Sequence, residues 1–126
     1  MTRRPDLPAV RKRLWGLYRA LRPLLFEMLR ARVFLRGSVY ELQTRCGKPT
    51  CACRRGARHR RWVLSESLQG RKRLRVVPLA LLEPWRRWAT NYRAFRRRRA
   101  EFVKVTRRIL EHLDAIERAQ RRPPEG

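Results

Sequence analysis

The sequence predicts an α+β fold: a long helical hairpin of coiled-coil character carrying a small three-stranded antiparallel sheet, with a cysteine-rich knuckle loop between two of the strands. Three observations predict it. Apolar residues recur at steps of three and four over residues 7–34 and again over 81–116. Between them, within residues 37–78, the periodicity changes to two. That middle region also holds all three cysteines and one of the two histidines. A 3.6-residue period marks one face of a helix and a period of two marks a strand. At 126 residues the chain is at most one domain. The expected order within 1–126 is an N-terminal helix over 7–34, a three-stranded knuckle subdomain over 37–78, a long C-terminal helix within 79–119, and a disordered tail over 120–126.

Asp6 followed by Leu7-Pro8 reads as an N-cap with proline in the first turn. Val10, Leu14, Leu17, Leu21, Leu24, Leu25 and Met28 then form the apolar seam of the first helix. Pro23 lies inside it, removes a backbone donor and predicts a kink or break. Gly37 is the expected helix stop. Tyr40 and Leu42 alternate with Glu41 and Gln43, so Ser38–Arg45 reads as a strand running into Cys46. Trp62–Ser67 reads as a second strand and Lys72–Val77 as a third, joined by the glycine-containing turn Leu68-Gln69-Gly70-Arg71 and ended by Pro78.

A short lead-in over Leu79–Glu83 precedes the long helix, with Pro84 in its first turn. Leu81, Trp85, Trp88, Tyr92, Phe95, Phe102, Ile109, Leu113 and Ile116 follow a heptad seam, interrupted at Arg99 and Thr106. At about 1.5 Å per residue this helix spans about 54 Å and the first about 40 Å. The longer one therefore projects past its partner or pairs with a second copy of the chain, a homodimer through the 81–116 seam.

Charge is the second strong signal. There are 34 Lys+Arg against 10 Asp+Glu, a formal net charge of +24. The excess is spread along the chain, at +8 for residues 1–36, +9 for 37–78 and +7 for 79–126. A compact domain with that charge repels itself and calls for a polyanionic partner, of which nucleic acid is the obvious one, DNA favoured over RNA. Thirty of the 34 bases are arginine, which GC-rich coding also produces; such a bias explains arginine replacing lysine but not the shortage of acids. A hydrophobic content of 43% supports a modest core. No apolar run approaches the roughly 20 residues that cross a bilayer, and the basic start at Met1 is followed by no clean apolar stretch. The expected location is cytoplasmic, nucleoid-associated if DNA is bound, with the odd number of cysteines kept reduced.

The cysteines fall in Cys46-Gly47-Lys48-Pro49-Thr50-Cys51-Ala52-Cys53, with His59 after them. Three thiolates and an imidazole are the ligand set of a closed, four-coordinate Cys3His site, and zinc prefers such borderline-soft donors. Gly47 and Pro49 allow a tight turn whose N–H groups point at sulfur. Cys51 and Cys53 reach one ion if the backbone between them is extended, and Gly56 permits the reversal that returns His59. Lys48, Arg54, Arg55 and Arg58 would offset the excess negative charge of three thiolates on one Zn2+. The spacing is not a standard pair of C-x-x-C units. The alternative reading is a basic loop with three reduced thiols and an incidental histidine.

The stretch from Leu35-Arg36-Gly37-Ser38-Val39-Tyr40 through Arg45-Cys46-Gly47-Lys48-Pro49-Thr50-Cys51-Ala52-Cys53-Arg54-Arg55-Gly56 to His59 resembles an uncharacterised bacterial family of small basic proteins, a domain of unknown function. Its hallmark is a Gly-Ser strand entering C-G-K-P-x-C-x-C, then a histidine, a hairpin and a long helix. Trp88-Ala89-Thr90-Asn91-Tyr92-Arg93-Ala94-Phe95 is similar to its helical segment, so the resemblance spans roughly residues 32–117. Members look like companions of transposases and other mobile elements, which implies a DNA-related role. The family usually continues His-Gly-Pro-aromatic; here the run is His59-Arg60-Arg61-Trp62, which keeps the ligand and the aromatic residue but loses the turn.

Catalysis has little support in the sequence. No set of spaced carboxylates is available to hold Mg2+ for strand transfer, and Glu41 and Glu66 are the only acids between Gly37 and Pro78. The expectation is a non-enzymatic, zinc-stabilised nucleic-acid-binding accessory protein, associated with a transposase or other mobile-element protein. Phosphate contacts are expected from Lys48, Arg54, Arg55, Arg58, Arg60 and Arg61 around the staple, Arg71, Lys72 and Arg73 at the hairpin, and Arg96, Arg97, Arg98 and Arg99 on the long helix. Trp62, Trp85, Trp88 and Tyr92 sit at core spacing, although such rings also stack on bases. The second expectation is a coiled-coil structural or adaptor protein whose charge serves an acidic partner or a ribonucleoprotein.

Overall fold

The computed structural model describes residues 6–56 and 58–124, except the side chain of Arg54. The elements are helix α1 (Leu7–Met28), strands β1 (Ser38–Thr44), β2 (His59–Leu68) and β3 (Arg71–Val76), and helix α2 (Leu82–Gln120), with short 3-10 helices at Ala52–Arg55 and Leu79–Leu81. The fold is α+β: two long helices packed together plus a three-stranded antiparallel sheet. The chain divides into two compact units. One comprises Met1–Ala31 with Phe95–Gly126, the other Arg32–Ala94.

In the first unit α1 starts where the sequence predicts. Asp6 is the N-cap and its carbonyl accepts the Val10 N–H at 2.9 Å, but its side chain makes no capping bond. Pro23, expected to kink or break the helix, lies within a continuous α1. The helix is therefore not broken there, although the proline removes one backbone donor from its interior. Val10 on α1 and Val105 on α2 are the buried apolar residues here, 5% and 7% exposed. The predicted seam over 81–116 is followed in part: Phe102, Ile109 and Ile116 are half-buried, whereas Leu113 within it is 46% exposed and the buried Val105 lies beside it. Thr106, the expected interruption, sits at the packed face with its hydroxyl buried and without a partner. Arg121 and Arg122 follow the end of α2, and Arg122 Nη1 donates to the Ala119 carbonyl at 3.0 Å. Of the tail expected to be disordered, Glu125 and Gly126 lie outside the described residues.

Helix α1 ends at Met28 rather than at residue 34. The reason lies in the second unit, where the following backbone finds other partners. Leu35 N–H donates to the Trp88 carbonyl at 3.2 Å, Asn91 Nδ2 donates to the Val33 carbonyl at 3.4 Å, and the Phe34 ring meets Tyr92 edge-on at 6.1 Å. These contacts draw residues 33–35 along the start of α2 as an extended strap. Gly37 consequently serves the sheet and not a helix end. Its φ is +140°, and a Cβ there would lie 2.7 Å from the Ser65 carbonyl oxygen and 2.9 Å from Leu64 Cδ1.

The sheet order is β1-β2-β3. Strand β1 pairs with β2 from Ser38↔Ser65 to Thr44↔His59, and β2 with β3 from Val63↔Val76 to Leu68↔Arg71. Gln69 and Gly70 make the two-residue turn, both at positive φ (52° and 78°), the backbone twist that suits a tight hairpin. Val63, Leu64, Val77 and Ala89 form the buried centre at 1–4% exposure. Small Ala89 lets the neighbouring chain approach α2 closely, so it is buried while the larger rings of the expected seam, Trp85, Trp88 and Tyr92, remain half-exposed around it. Trp62 is held from the helix: Arg86 stacks over its ring at 4.9 Å. Among the described residues no helix is long and apolar enough to cross a membrane.

The close approach at Gly37 carries a test. Gly37→Ala forces a left-handed backbone on an L side chain and presses its Cβ against Ser65, so we expect a loss of about 1–3 kcal/mol in urea unfolding. Gly16→Ala, where a Cβ meets nothing within 4 Å, is expected to gain about 0.5–1 kcal/mol in the same assay, because alanine replaces glycine inside a helix.

Candidate metal centre

The cysteine loop is built from the two strands it joins. Thr44, the last residue of β1, is paired with His59, the first residue of β2, so Cys46 leaves one strand beside the histidine that opens the next. The connection folds back in two steps. Cys51 N–H donates to the Lys48 carbonyl at 3.2 Å, closing a turn with Pro49 at its second position, where a fixed φ suits it. Cys51 itself is extended (φ −77°, ψ 141°) and caps the 3-10 helix Ala52–Arg55, which ends at Gly56 with φ +140°.

One expectation is corrected here. The backbone from Cys51 to Cys53 is not extended throughout: Ala52 and Cys53 lie in the first turn of the 3-10 helix. Tight winding, not extension, turns the Cys53 thiol inward. It is 2% exposed, whereas Cys46 and Cys51 are half-buried and His59 is exposed. The reversal expected at Gly56 is present.

The four ligand atoms lie within 4.8 Å of one another. Cys46 Sγ and Cys53 Sγ are 3.5 Å apart, and Cys51 Sγ is 3.2 Å from His59 Nε2. A tetrahedral ion with bonds of about 2.0–2.3 Å needs its ligand atoms roughly 3.3–3.8 Å apart. The donor set therefore fits a four-coordinate ion after sub-ångström adjustment, and Cys46, Cys51, Cys53 and His59 form a candidate metal site. Among the described residues no other group of three or more His, Cys, Asp or Glu gathers in this way.

Backbone donors tune the thiols. At Cys51 the Cys53 N–H has the largest effect, aided by the thiols of Cys46 and Cys53 and by His59; together they lower the pKa to about 6. At Cys46 the largest single influence, the Lys48 N–H, also favours the thiolate. It is outweighed by side-chain contacts to Cys51 and Cys53, desolvation and the charge on Cys51, and the thiol lies above its ordinary value. The Cys46 N–H in turn points at Cys53 Sγ at 3.4 Å. Residue types alone do not reveal that the N–H groups of Lys48 and Cys53 serve the sulfurs; the Gly47–Pro49 turn signal is the part of this that sequence carries.

The described basic residues expected to contact phosphate are exposed except Arg98, and those of the second unit form two groups. In the second unit Lys48, Arg55, Arg58, Arg60 and Arg61 surround the cysteine loop, while Arg71, Lys72 and Arg73 pair with Leu68, Ser67 and Glu66 toward the other end of β2. At about 3.3 Å per residue, the nearest members of the two groups, Arg61 and Arg73, are about 17 Å apart along the sheet. The Arg54 side chain lies outside the described residues. Arg60 is partly occupied by Glu41 at 3.6 Å. Arg96, Arg97, Arg98 and Arg99 belong to the other unit, where Arg98 is half-buried and the remaining three are exposed.

Residues 7–87 match the family described as a domain of unknown function, DUF6788. The chain belongs to that family. The match takes in α1, the sheet and the whole cysteine loop, and it ends before the Trp88–Phe95 segment that the sequence resemblance included. No curated protein and no solved structure gave a match. The DUF6788 match thus covers the four candidate ligands, but only the first residues of α2.

The lowered thiol predicts a chemical signature for the metal-free protein. Cys51 stays ionised down to about pH 6, whereas an unfolded thiol gains its proton at about 8.5. The stability from that ionisation is thus present above about 8.5 and lost as pH falls through about 6. After chelation, iodoacetamide should label one fast thiol with a midpoint near 6, and Cys51→Ser should remove that phase.

Proposed function

We propose that this DUF6788 protein is a zinc-stapled nucleic-acid-binding accessory factor without catalytic chemistry of its own, with DNA the favoured polymer. The metal part is supported by the four ligand atoms within 4.8 Å of one another at the junction of two paired strands. Three thiolates with one imidazole favour Zn2+ over harder divalent ions. With all four protein ligands engaged no coordination position remains for substrate, which suits a structural staple rather than a hydrolytic centre. Bound ion would fix the turn at Lys48–Cys51 and the 3-10 helix together and bridge β1 to β2. Such a site can contribute on the order of 10 kcal/mol to folding.

The observation that carries the nucleic-acid part is the charge of +24 on 126 residues. Ion pairing relieves little of it. Pairs such as Arg86–Glu83 and Arg121–Glu117 are 3.6–3.7 Å long and exposed, and such pairs contribute about 0–1 kcal/mol each. Arg55, Arg58, Arg61, Arg71, Lys72 and Arg73 make no ion pair with a described residue. Release of counterions from phosphate gives these groups a strong, sequence-independent affinity for nucleic acid. Strand-breaking chemistry would then fall to a separate enzyme. The sequence resemblance described above supports a transposase or other mobile-element enzyme in that role, and the protein would hold or present DNA beside it.

Two measurements test the two halves. Purified protein should carry about one equivalent of zinc; a chelator should lower its melting temperature markedly, and Cys53→Ser should do the same without chelator. Zinc-free protein with an unchanged melt would overturn the staple. DNA affinity should fall steeply between 50 and 200 mM salt, and Arg71→Glu with Arg73→Glu should reduce it at least tenfold. An affinity independent of salt would exclude phosphate as the main contact and favour the adaptor reading.

A further inference from the structure

Helix α1 carries a second set of large side chains that its packing leaves outside. Trp15, Tyr18 and Phe26 are 63%, 51% and 67% exposed. At 100° per residue they fall within about 80° of the helix circumference, to one side of buried Val10. Leu29, 74% exposed, shares that arc. Three exposed aromatic rings on one helical face require an explanation, because rings of this size normally bury. Trp15 and Tyr18 meet at a steep angle, their centroids 5.9 Å apart and their planes at 82°, and both rings stay more than half exposed.

The face is basic as well as aromatic. Arg11 and Arg22 lie in the same arc and Arg19 at its edge, and none of the three makes an ion pair with a described residue. Glu27, the acid within α1, is bonded to Arg30 at 3.6 Å and borders the basic edge of this face, lining a hollow with Arg19, Arg22 and Phe26. A hollow in this unit is walled by Tyr18, Arg22, Leu25, Phe26 and Leu29 of α1 with Phe102 of α2, and no carboxylate lines it.

Arg22 decides among the occupants. Beneath an apolar partner helix it would be desolvated with no ion pair of its own to compensate, which is strongly unfavourable. Beneath a second copy of this chain it would meet like charge. A polymer that alternates flat rings with anions satisfies every group on the face, the rings stacking and the guanidinium groups pairing with phosphate. A duplex keeps its bases stacked inside, so the polymer must be single-stranded. We infer that the Trp15–Tyr18–Phe26 face of α1, with Arg11, Arg19 and Arg22, is a platform for single-stranded nucleic acid. The inference rests on the nucleic-acid reading above and adds a strand preference and a location to it.

Fluorescence anisotropy with the full chain, a labelled oligo-dT and a duplex of the same length, at fixed salt, tests it. Trp15→Ala and Phe26→Ala should each weaken oligo-dT binding about 5–100-fold, the range for losing one stacked base, and leave duplex affinity within about twofold. Trp15→Phe should restore most of the loss. Because the positions are more than half exposed, the melting midpoint should stay at the parent's, and Phe26→Ser gives a second substitution at the same face. Unchanged oligo-dT affinity in these variants, or an equal loss for duplex, would overturn the platform while leaving the proposed function standing. So would a parent that self-associates in sedimentation through Trp15 with no effect on oligo-dT, which would assign the face to a second copy. A parent that binds neither polymer would overturn both readings.

Discussion

The backbone ladder between β1 and β2 holds the rest of the second unit together. It sets Thr44 opposite His59, and with that pairing the two ends of a fourteen-residue connection are fixed side by side. A loop so anchored can place Cys46 near His59 without a long search, and the remaining thiols need only a turn and one winding of 3-10 helix. The ladder in turn depends on Gly37, whose missing side chain lets β1 begin against the Ser65 carbonyl and the Leu64 side chain. Leu64 is 1% exposed at the sheet centre. The strap of residues 33–35 along α2, the start of β1, the sheet centre and the cysteine loop therefore form one mechanical sequence.

Electrostatics and metal chemistry reinforce one another in that loop. A chain with 34 bases and 10 acids has few internal counter-charges, and three ionised thiols on one divalent ion would supply a net negative charge among Lys48, Arg55 and Arg58. Conversely, the basic surroundings and the inward-pointing N–H groups favour the thiolate form that metal binding needs. The lowered Cys51 and the raised Cys46 are two sides of the same crowding: negative charge on the first makes ionisation of the second harder until an ion is present.

Much of this was legible in the sequence, and the misses have identifiable causes. Strand positions were recoverable because a one-residue slip would turn Tyr40 and Val63 to the opposite face. The ligands were recoverable because cysteine clusters have few structural uses in a basic loop. The end of α1 was not. Residues 29–34 have ordinary helical composition, and only the carbonyl of Trp88 and the amide of Asn91, distant in sequence, draw them away. The buried positions of α2 were missed for a related reason: heptad counting follows large side chains, whereas Ala89 is buried through its smallness. Trp15 was passed over because it falls off the seam, where exposure and not spacing reveals it.

By itself the sequence determined the α+β class, the identity of the four candidate ligands, the tight hairpin turn and the excess of positive charge. Each is local in origin: a periodicity, a set of donor atoms, a glycine, a count. The tertiary structure decided where α1 stops, that the Cys51–Cys53 segment winds instead of extending, which basic residues stand together, and which aromatic rings remain outside. Those outcomes depend on contacts between residues far apart in the chain, and no local pattern encodes the competition between a helix's own carbonyls and those of a neighbour.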